Sequence, residues 1–333
     1  MIRKVAFDVD CMVSRFREIS PTSSPPVFIA CLARAGSTIL LEALYSTNLF
    51  TTLTYRDMPF VTAPLLWGLI TAQHRSVSDL KERAHGDRLH VNFDSPEAFE
   101  EVFWMTFTAD VYVKEDCLEC HDIDVEVIEK YGKFIDNVVK KAGDKASLRY
   151  LAKNNNNILR IDSIKSAFPE AVILVPFRNP LDHAKSLYLQ HKRFRRMHME
   201  DAFSLKYMNW LGHFEFGENF KPFKVSDEAL PAYSEEPEEE GYWLRYWKCV
   251  YEYIIERRAS KVIFFDYDTF CVEPDRSLDK LGEALSVDAA LLKPFCARVK
   301  SVTRHEHFQA DRALSLQVAN VYHTLKALSL QSM

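Results

Sequence analysis

The sequence predicts an α/β fold with a central parallel β-sheet flanked by helices. Short apolar segments rich in β-branched residues recur along the chain, and segments with helical spacing lie between them. The strand-like segments are residues 27–32, 171–177 and 262–265. Continuous apolar runs of this length are typical of strands buried on both faces, and alternation with helices favours a parallel sheet.

The helices are predicted from apolar residues spaced three and four positions apart and from capping residues. The predicted helices cover residues 37–46, a segment that opens at Ser95-Pro96, and residues 124–142, 181–196, 242–258 and 311–328. Residues 217–241 include the acidic run SEEPEEE and few apolar positions. This segment is predicted to be a solvated loop or flap over the sheet.

The composition is that of a globular protein, and its net charge does not indicate binding to nucleic acid. The chain has 333 residues, of which 47% are hydrophobic, and a net charge of -5. We expect one domain, 1–333, with residues 67–145 and 198–241 as insertions. No apolar run is long enough to span a membrane. Asp8 and Asp10 lie where a signal peptide has its apolar core, so the sequence predicts a cytoplasmic protein.

The seven cysteines do not form a recognisable disulfide or metal pattern. Their number is odd and the chain is long, so a disulfide framework is not expected. Cys117-x-x-Cys120-His121 has no second pair of ligands to complete a zinc set. The sequence therefore predicts free thiols and no bound metal.

The segment FIACLARAGSTILLEAL, residues 28–44, has the form of a strand, a tight turn and a helix. The Walker template GxxxxGK[ST], aligned on Gly36, puts Cys31 at its first glycine and Ser37 at its lysine. The backbone N–H groups at the helix start can still bind an anion. Thr38 offers a hydroxyl and Arg34 a positive charge. The alternative is a turn in which the glycine serves only steric needs.

A second segment, NNNNILRIDSIKSAFPEAVILVPFRNPLDHAKSLYLQHKRF, carries an arginine at the end of a predicted strand. Arg178 is followed by Asn179-Pro180 and by a helix that contains Ser186, eight residues after the arginine. Ligands of open α/β folds bind at the carboxyl ends of the strands. An arginine and a hydroxyl at such a position can hold a second phosphate, separate from the first.

The pairing of ARAGSTIL with ILVPFRNPLDHAKSLYLQHKRF resembles the PAPS-dependent sulfotransferases, nearer the bacterial and protein-tyrosine types. Ala33 and Ala35 depart from the loop motif PRSGTT of that family. The resemblance implies a P-loop-containing sulfotransferase-like fold. It also implies transfer of a sulfuryl group from PAPS (3'-phosphoadenosine 5'-phosphosulfate) to the hydroxyl of a sugar, a phenol or a tyrosine, without a metal.

The resemblance also implies which residues bind and act. The nucleotide-binding residues would be Arg34, Ala35, Gly36, Ser37, Thr38, Arg178, Ser186, Ser301 and Arg304. Arg34 and Lys153 would stabilise the charge of the leaving phosphate, and Asp57 would be the general base. Other candidate bases are Glu97, Glu101, His85 and Asp87. His213 and Glu215 could line the acceptor pocket, and the two insertions would supply the acceptor site or a flap.

Two other functions remain open at the level of sequence. A P-loop kinase with a degenerate Walker loop would need magnesium and a lysine where this chain has Ser37. A non-catalytic nucleotide-binding module would keep only the fold. Asp266, at the end of the last predicted strand, resembles a Walker B aspartate, and we expect it to be structural.

Overall fold

The computed structural model describes residues 1–16, 24–72, 81–82, 90–91, 93–143, 148–225, 237, 239–300 and 312–332. The strands are β1 (Val27–Ile29), β2 (Phe50–Thr51), β3 (Lys81–Glu82), β4 (His90–Val91), β5 (Leu118–Glu119), β6 (Arg149–Lys153), β7 (Val172–Phe177), β8 (Phe223–Lys224) and β9 (Ile263–Asp266).

The helices outnumber the strands in the described ranges. They are α1 (Ile2–Arg15), α2 (Ser37–Tyr45), α3 (Pro64–Thr71), α4 (Glu101–Phe107), α5 (Ala109–Tyr112), α6 (Val125–Lys141), α7 (Ile161–Ala167), α8 (Pro180–Glu200), α9 (Ala202–Leu211), α10 (Glu240–Arg258), α11 (Tyr267–Val272), α12 (Pro274–Leu285), α13 (Ala289–Leu292) and α14 (Arg312–Ala327). No helix of the described ranges has the length and apolar character needed to cross a membrane.

The central sheet has five parallel strands in the order β2-β6-β1-β7-β9. Strand β1 lies in the middle, with Ile29 opposite Lys153 of β6 and Leu174 of β7. The carboxyl ends of β6, β1 and β7 are therefore neighbours at one edge of the sheet. Parallel strands buried on both faces place ligand sites at this edge.

The two faces of the sheet support separate hydrophobic cores, as the alternation of side chains along a strand requires. Phe28 packs into a large core formed with aromatic residues of α4, α6, α8 and α10. Val27 and Ile29 point to the other face and pack against α2 and α12. Helices on both faces leave the carboxyl edge of the strands for the connecting loops.

The predicted fold class and the three predicted strands are confirmed, with bounds that differ by a few residues. The helix predicted to open at Ser95 is wrong, because α4 begins at Glu101. The Glu97 N–H donates to the Leu53 carbonyl, and Pro96 forms an isolated antiparallel β-bridge with Thr54. These backbone groups pair with the segment after β2, so they cannot belong to a helix.

The prediction of a solvated loop over residues 217–241 is wrong for its first part. Phe223 and Val225 are buried, and β8 pairs in parallel with β5. The aromatic side chains after Gly217 pack against α10, which outweighs the polar character of the segment as a whole. Most of the acidic run lies outside the described residues, and the division into one domain with two insertions stays a prediction.

Candidate functional site: the carboxyl edge of the sheet

The loop between β1 and α2 has a backbone that depends on glycine at position 36. Gly36 has φ +89° and precedes the first turn of α2. A Cβ at this position would lie 2.1 Å from the ring of Tyr267, so a larger residue is excluded by the ring as well as by the backbone. Gly36 also has no side chain with which to cap α2. The first N–H groups of the helix therefore point out of it as donors for an anion.

Arg34 lies in the same loop in the left-handed region, with φ +70°. This conformation costs a residue other than glycine about 1–3 kcal/mol, so its surroundings must hold it. The Arg34 Nε donates to the Ser186 hydroxyl of α8 at 3.2 Å. Two residues that the sequence assigned to separate phosphates are thus in direct contact.

His183 of α8 holds the loop at Ala33, the residue before Arg34. Its Nε2 lies 2.7 Å from the Ala33 carbonyl oxygen, and its Nδ1 accepts a hydrogen bond from Trp247 Nε1 at 3.0 Å. An indole nitrogen only donates, so Nδ1 is the acceptor and Nε2 carries the proton given to Ala33. Burial, together with the charge of Arg178, lowers the pKa of His183 to about 3. A neutral imidazole therefore links α10 to the loop.

Arg178 lies at the carboxyl end of β7, where the sequence predicted it. Its side chain is 8% exposed, its Nε is buried, and its guanidinium makes no hydrogen bond or ion pair with the described residues. It lies over the Tyr267 ring, 5.8 Å from the ring centroid. An unpaired buried cation is costly, so this geometry fits an anionic ligand that would complete its hydrogen bonds.

The helix that follows Arg178 starts with two local signals. Asn179 caps α8, with its side-chain oxygen accepting from the N–H groups of Leu181 and Asp182 at 3.0 and 3.3 Å. Pro180 occupies the first turn, where its missing N–H costs nothing. This rigid start fixes the direction of α8, so His183 and Ser186 face the loop of β1.

Lys153 ends β6, beside the end of β1. Its ammonium group has no acceptor among the described residues, in contrast to Lys141, which is paired with Asp57. Burial raises the pKa of the Cys31 thiol to about 12, and the nearby charge of Lys153 opposes that rise. Lys153 thus adds a positive charge close to the start of the loop.

A partly enclosed pocket has Leu32 and Ala33 of the loop among its lining residues. It is lined by Leu32, Ala33, Leu118, Asn156, Leu187, Phe214, Glu215, Lys221, Phe223, Trp243 and Tyr246. Glu215, which the sequence placed in a possible acceptor pocket, accepts a hydrogen bond from Asn155 Nδ2 at 2.8 Å. The Lys221 ammonium group is used elsewhere, at 2.8 Å from the Lys114 carbonyl.

The profile of the sulfotransferase family matches residues 25–217, which is more than half of the chain. The chain belongs to the sulfotransferase family. The match includes the loop, Lys153, Arg178 and Ser186, and it ends at Gly217, before Trp247 and Tyr267. No curated protein sequence matches this sulfotransferase.

Several solved structures of sulfotransferases resemble this one at low sequence identity. Sulfotransferase STF9 from Mycobacterium avium is 12% identical, with 92% of this chain and 77% of that chain covered and a TM-score of 0.47. STF1 from Mycobacterium tuberculosis H37Rv is 12% identical, with 98% and 81% covered and a TM-score of 0.47. A sulfotransferase from Alicyclobacillus acidocaldarius is 14% identical, with 92% and 96% covered and a TM-score of 0.39.

The residue predicted as general base in this sulfotransferase has a full set of internal contacts. Asp57 is 2% exposed, and its carboxylate lies 2.7 and 2.9 Å from the Lys141 ammonium group. It also accepts from the backbone N–H of Thr54 at 2.7 Å, closing a capping box. These contacts favour a structural role for Asp57, and its role as base stays a prediction.

The alternative carboxylates from the middle of the chain are also engaged. Glu101 is paired with Arg160 at 2.8 Å, and both side chains are almost fully buried. Burial alone would raise the pKa of Glu101, but Arg160 holds this pKa below its usual value. Glu97 accepts from the Tyr55 hydroxyl and from the Ala98 N–H. His85, Asp87, Ser301 and Arg304 lie outside the described residues.

The other residues singled out in the sequence have internal contacts of their own. His213 Nε2 lies 3.1 Å from the Ala98 carbonyl oxygen, away from the loop. Asp266 caps α11, which confirms its predicted structural role. All seven cysteines are free thiols, and the described residues contain no cluster that could hold a metal ion.

Sequence analysis missed three residues of this edge, namely His183, Trp247 and Tyr267. His183 was inside the quoted motif, but only its contact with Ala33 gives it a role. The other two follow much later in the chain: Trp247 of α10 acts on the loop through His183, and Tyr267, directly after β9, packs its ring against Gly36. For Tyr267 the sequence contains one weak signal, because an aromatic residue directly follows a strand that ends at the carboxyl edge of the sheet.

Proposed function

We propose that this sulfotransferase uses PAPS as donor and transfers its sulfuryl group to an acceptor hydroxyl. The observation that carries the proposal is Arg178, a buried guanidinium without a partner among the described residues at the sheet edge that holds the family's loop. PAPS has two anionic ends, a 5'-phosphosulfate and a 3'-phosphate. Two separate cationic positions, the loop and Arg178, match that distribution of charge.

The first turn of α2 and Arg34 would hold the 5' end of the donor. Ser186 can accept from Arg34 and still donate its own proton to the 3'-phosphate, because a hydroxyl has one donor and two acceptor positions. The 3'-phosphate would then complete the hydrogen bonds of Arg178. These contacts use hydrogen-bond donors of this chain, in line with an ion-independent mode of binding.

The chemical step would be an in-line displacement at sulfur, by analogy with phosphoryl transfer. Negative charge would build on the bridging oxygen as its bond to sulfur breaks. Arg34 in the loop and Lys153 at the end of β6 are cations that could stabilise that charge. The loss of a proton by the acceptor requires a base, and the sequence predicts Asp57 for this role.

Nucleotide binding tests the donor assignment directly. In EDTA, adenosine 3',5'-bisphosphate should raise the melting temperature, with a stabilisation of about 2.7 kcal/mol at a hundredfold excess over its dissociation constant. Adenosine 5'-phosphate, which lacks the 3'-phosphate, is the matched control and should give a smaller shift. Equal shifts would contradict the role of the second anion site, and stabilisation by ATP only with magnesium would favour a kinase. Transfer of labelled sulfate from PAPS to a panel of hydroxyl acceptors would test the reaction itself.

A further inference from the structure

We propose that α1 binds α1 of a second copy of this chain, in an antiparallel pair about a two-fold axis. The inference goes beyond the proposed function and does not depend on it. It comes from the outer face of α1 and its C-cap, which carry five exposed apolar side chains spaced alternately three and four positions apart. These residues, called the apolar stripe below, are Ile2, Val5, Val9, Met12 and Phe16.

The opposite face of α1 fixes the helix to the rest of the protein. The Phe7 ring packs edge-on against the ring of Phe103. The buried Asp10 carboxylate accepts from the Leu66 N–H at 2.6 Å and from Asn137 Nδ2 at 2.8 Å. Because these contacts hold α1 from one side, the apolar stripe on the other side points away from the core in a fixed direction.

The spacing of the apolar stripe indicates another helix as its partner. The exposed fractions of its five side chains run from 38% to 86%. Single exposed apolar residues are normal, whereas a row of them indicates a contact surface. With Ile2 at heptad position a, the row occupies only positions a and d, which form the seam between the helices of a coiled coil.

The charges beside the apolar stripe indicate an antiparallel second copy. Asp8 and Arg15 are exposed, occupy the two g positions beside the seam, and have no ion-pair partner among the described residues. In an antiparallel pair, position g of one helix faces position g of the other, so each Asp8 can pair with Arg15 of the second copy. The other flank brings Ala6 beside Val13 of the second copy. A parallel pair would place Asp8 against the apolar Val13.

The same charges fix the register of the pair. When Val9 faces Met12 of the second copy and Val5 faces Phe16, Asp8 is level with Arg15. A shift by one heptad in either direction would bring together two copies of the same charged residue. Such like-charge contacts are unfavourable. The favoured contact uses the same surface of both copies and therefore closes as a dimer.

Apolar surface continues beyond the apolar stripe at both ends of α1. This surface is needed, because two helices of 14 residues are short for a stable interface, which buries about 1,200 Å² or more. The Arg3 guanidinium donates to the carbonyl of Trp210, a largely exposed residue near the start of α1. Helix α3 runs alongside α1 in the same direction, and its last turn carries the exposed Leu69 and Ile70.

Analytical ultracentrifugation in a reducing buffer tests the proposal, since the free thiols of the chain cannot then join two copies. The wild type should dimerise with a dissociation constant of about 1–100 µM, as expected for a small interface. Val5→Glu should raise this constant by about a hundredfold or more, because it places a charge in the apolar contact of both copies. Val272→Glu, which changes an exposed valine of α11, is the matched control and should leave the dimer unchanged.

Reversal of the charges tests the direction of the pair. Asp8→Arg and Arg15→Asp should each weaken the dimer by about tenfold, because each change turns two attractive contacts into repulsive ones. An equimolar mixture of the two variants should associate as strongly as the wild type, since the mixed dimer has unlike charges at both contacts. The double variant Asp8→Arg/Arg15→Asp should also associate like the wild type.

A wild type that is still monomeric at about 1 mM, or a dimer that is unaffected by Val5→Glu, would overturn the proposal. Failure of both the mixture and the double variant to restore association would overturn the antiparallel pairing. Binding of a monomer to vesicles of phosphatidylcholine and phosphatidylglycerol, lost in Val5→Glu, would assign the apolar stripe to a membrane and overturn the dimer. Nucleotide binding tests the proposed function separately, so either proposal can fail without the other.

Discussion

Two buried arginines of this chain differ in how their charges are satisfied. Arg160 is 1% exposed, its terminal nitrogens bond to Glu101, and its guanidinium lies against the rings of Trp104 and Tyr112. Arg178 is 8% exposed and has no carboxylate or carbonyl partner among the described residues. A charge satisfied inside the fold supports the fold, whereas a buried charge without a partner indicates a ligand.

The same contrast holds for the two lysines discussed above. Lys141 is held by Asp57 and by the Thr52 carbonyl, in the region between β2 and α6. Lys153 has no such partner in the described structure and lies at the end of β6, beside the loop. The comparison predicts that the paired residues act on stability and the unpaired residues act on binding.

The largest expected effect is on stability, for Arg160→Ala. This change leaves Glu101 charged and buried without its partner, which should cost about 3–5 kcal/mol of unfolding free energy. Urea denaturation measures the loss. Lys261→Ala, which removes a half-exposed partner of Asp162, is the control and should change stability by less than about 0.5 kcal/mol. A loss below about 1 kcal/mol for Arg160→Ala would contradict the structural role.

Arg178→Ala should have the opposite effects, a small change in stability and a large loss of nucleotide affinity. It removes no internal ion pair, so the unfolding free energy should change little. The loss of a charge-assisted contact should weaken binding of adenosine 3',5'-bisphosphate by about 1.5–3 kcal/mol. Binding of adenosine 5'-phosphate should change much less, and calorimetric titration in EDTA compares the two. Similar losses of affinity for both nucleotides would show that Arg178 does not bind the 3'-phosphate.

His183 should make stability depend on pH. Its pKa is about 3 in the folded chain, against an ordinary value of 6.5. Between these values the unfolded chain binds a proton that the folded chain does not, so stability is complete above pH 6.5 and falls on acidification. By pH 5 this one group should remove about 2 kcal/mol. The stability deficit of His183→Gln, measured by urea unfolding, should therefore shrink by about that amount from pH 7.5 to pH 5. Parallel pH curves for the two proteins would exclude this titration.

The smallest effect is expected for Asp57→Asn, which keeps the shape of the side chain and removes its charge. The amide oxygen of the introduced asparagine can still accept from the Thr54 N–H and from Lys141, so we expect a loss of about 1 kcal/mol in stability. Turnover of the folded protein should stay close to the wild type. A hundredfold loss of turnover at unchanged stability would restore Asp57 as the general base.

The sequence predicted the parts of the fold that have a local pattern. The strands β1, β7 and β9 are continuous apolar runs, and α8 has its asparagine cap and first-turn proline. It did not predict β2, which has two residues, or β6, which begins with Arg149 and ends with Lys153. These two strands are defined by their neighbours in the sheet, and pairing over such distances leaves no local signal.

The candidate site shows the same division between local and distant information. The contact of Arg34 with Ser186 joins two motifs that the sequence singled out, although it assigned them to different phosphates. The role of Asp57 could not be judged, because its partner Lys141 is 84 residues away. The sequence predicts Glu215 as a possible pocket residue, and only the fold shows that it lines a pocket together with Ala33.

The ring of Tyr267 against Gly36 has a consequence for the order in which the protein assembles. Tyr267 starts α11 directly after β9, and Gly36 belongs to the loop after β1, so most of the chain lies between them. Contacts between such distant residues form late, because a large loop must close first. During synthesis, a nascent chain long enough to pair β1 with β6 and β7 still has no ring to pack against Gly36 until α11 leaves the ribosome. A fragment that ends at residue 217 would contain the family's motifs and would lack the wall that gives the loop its shape.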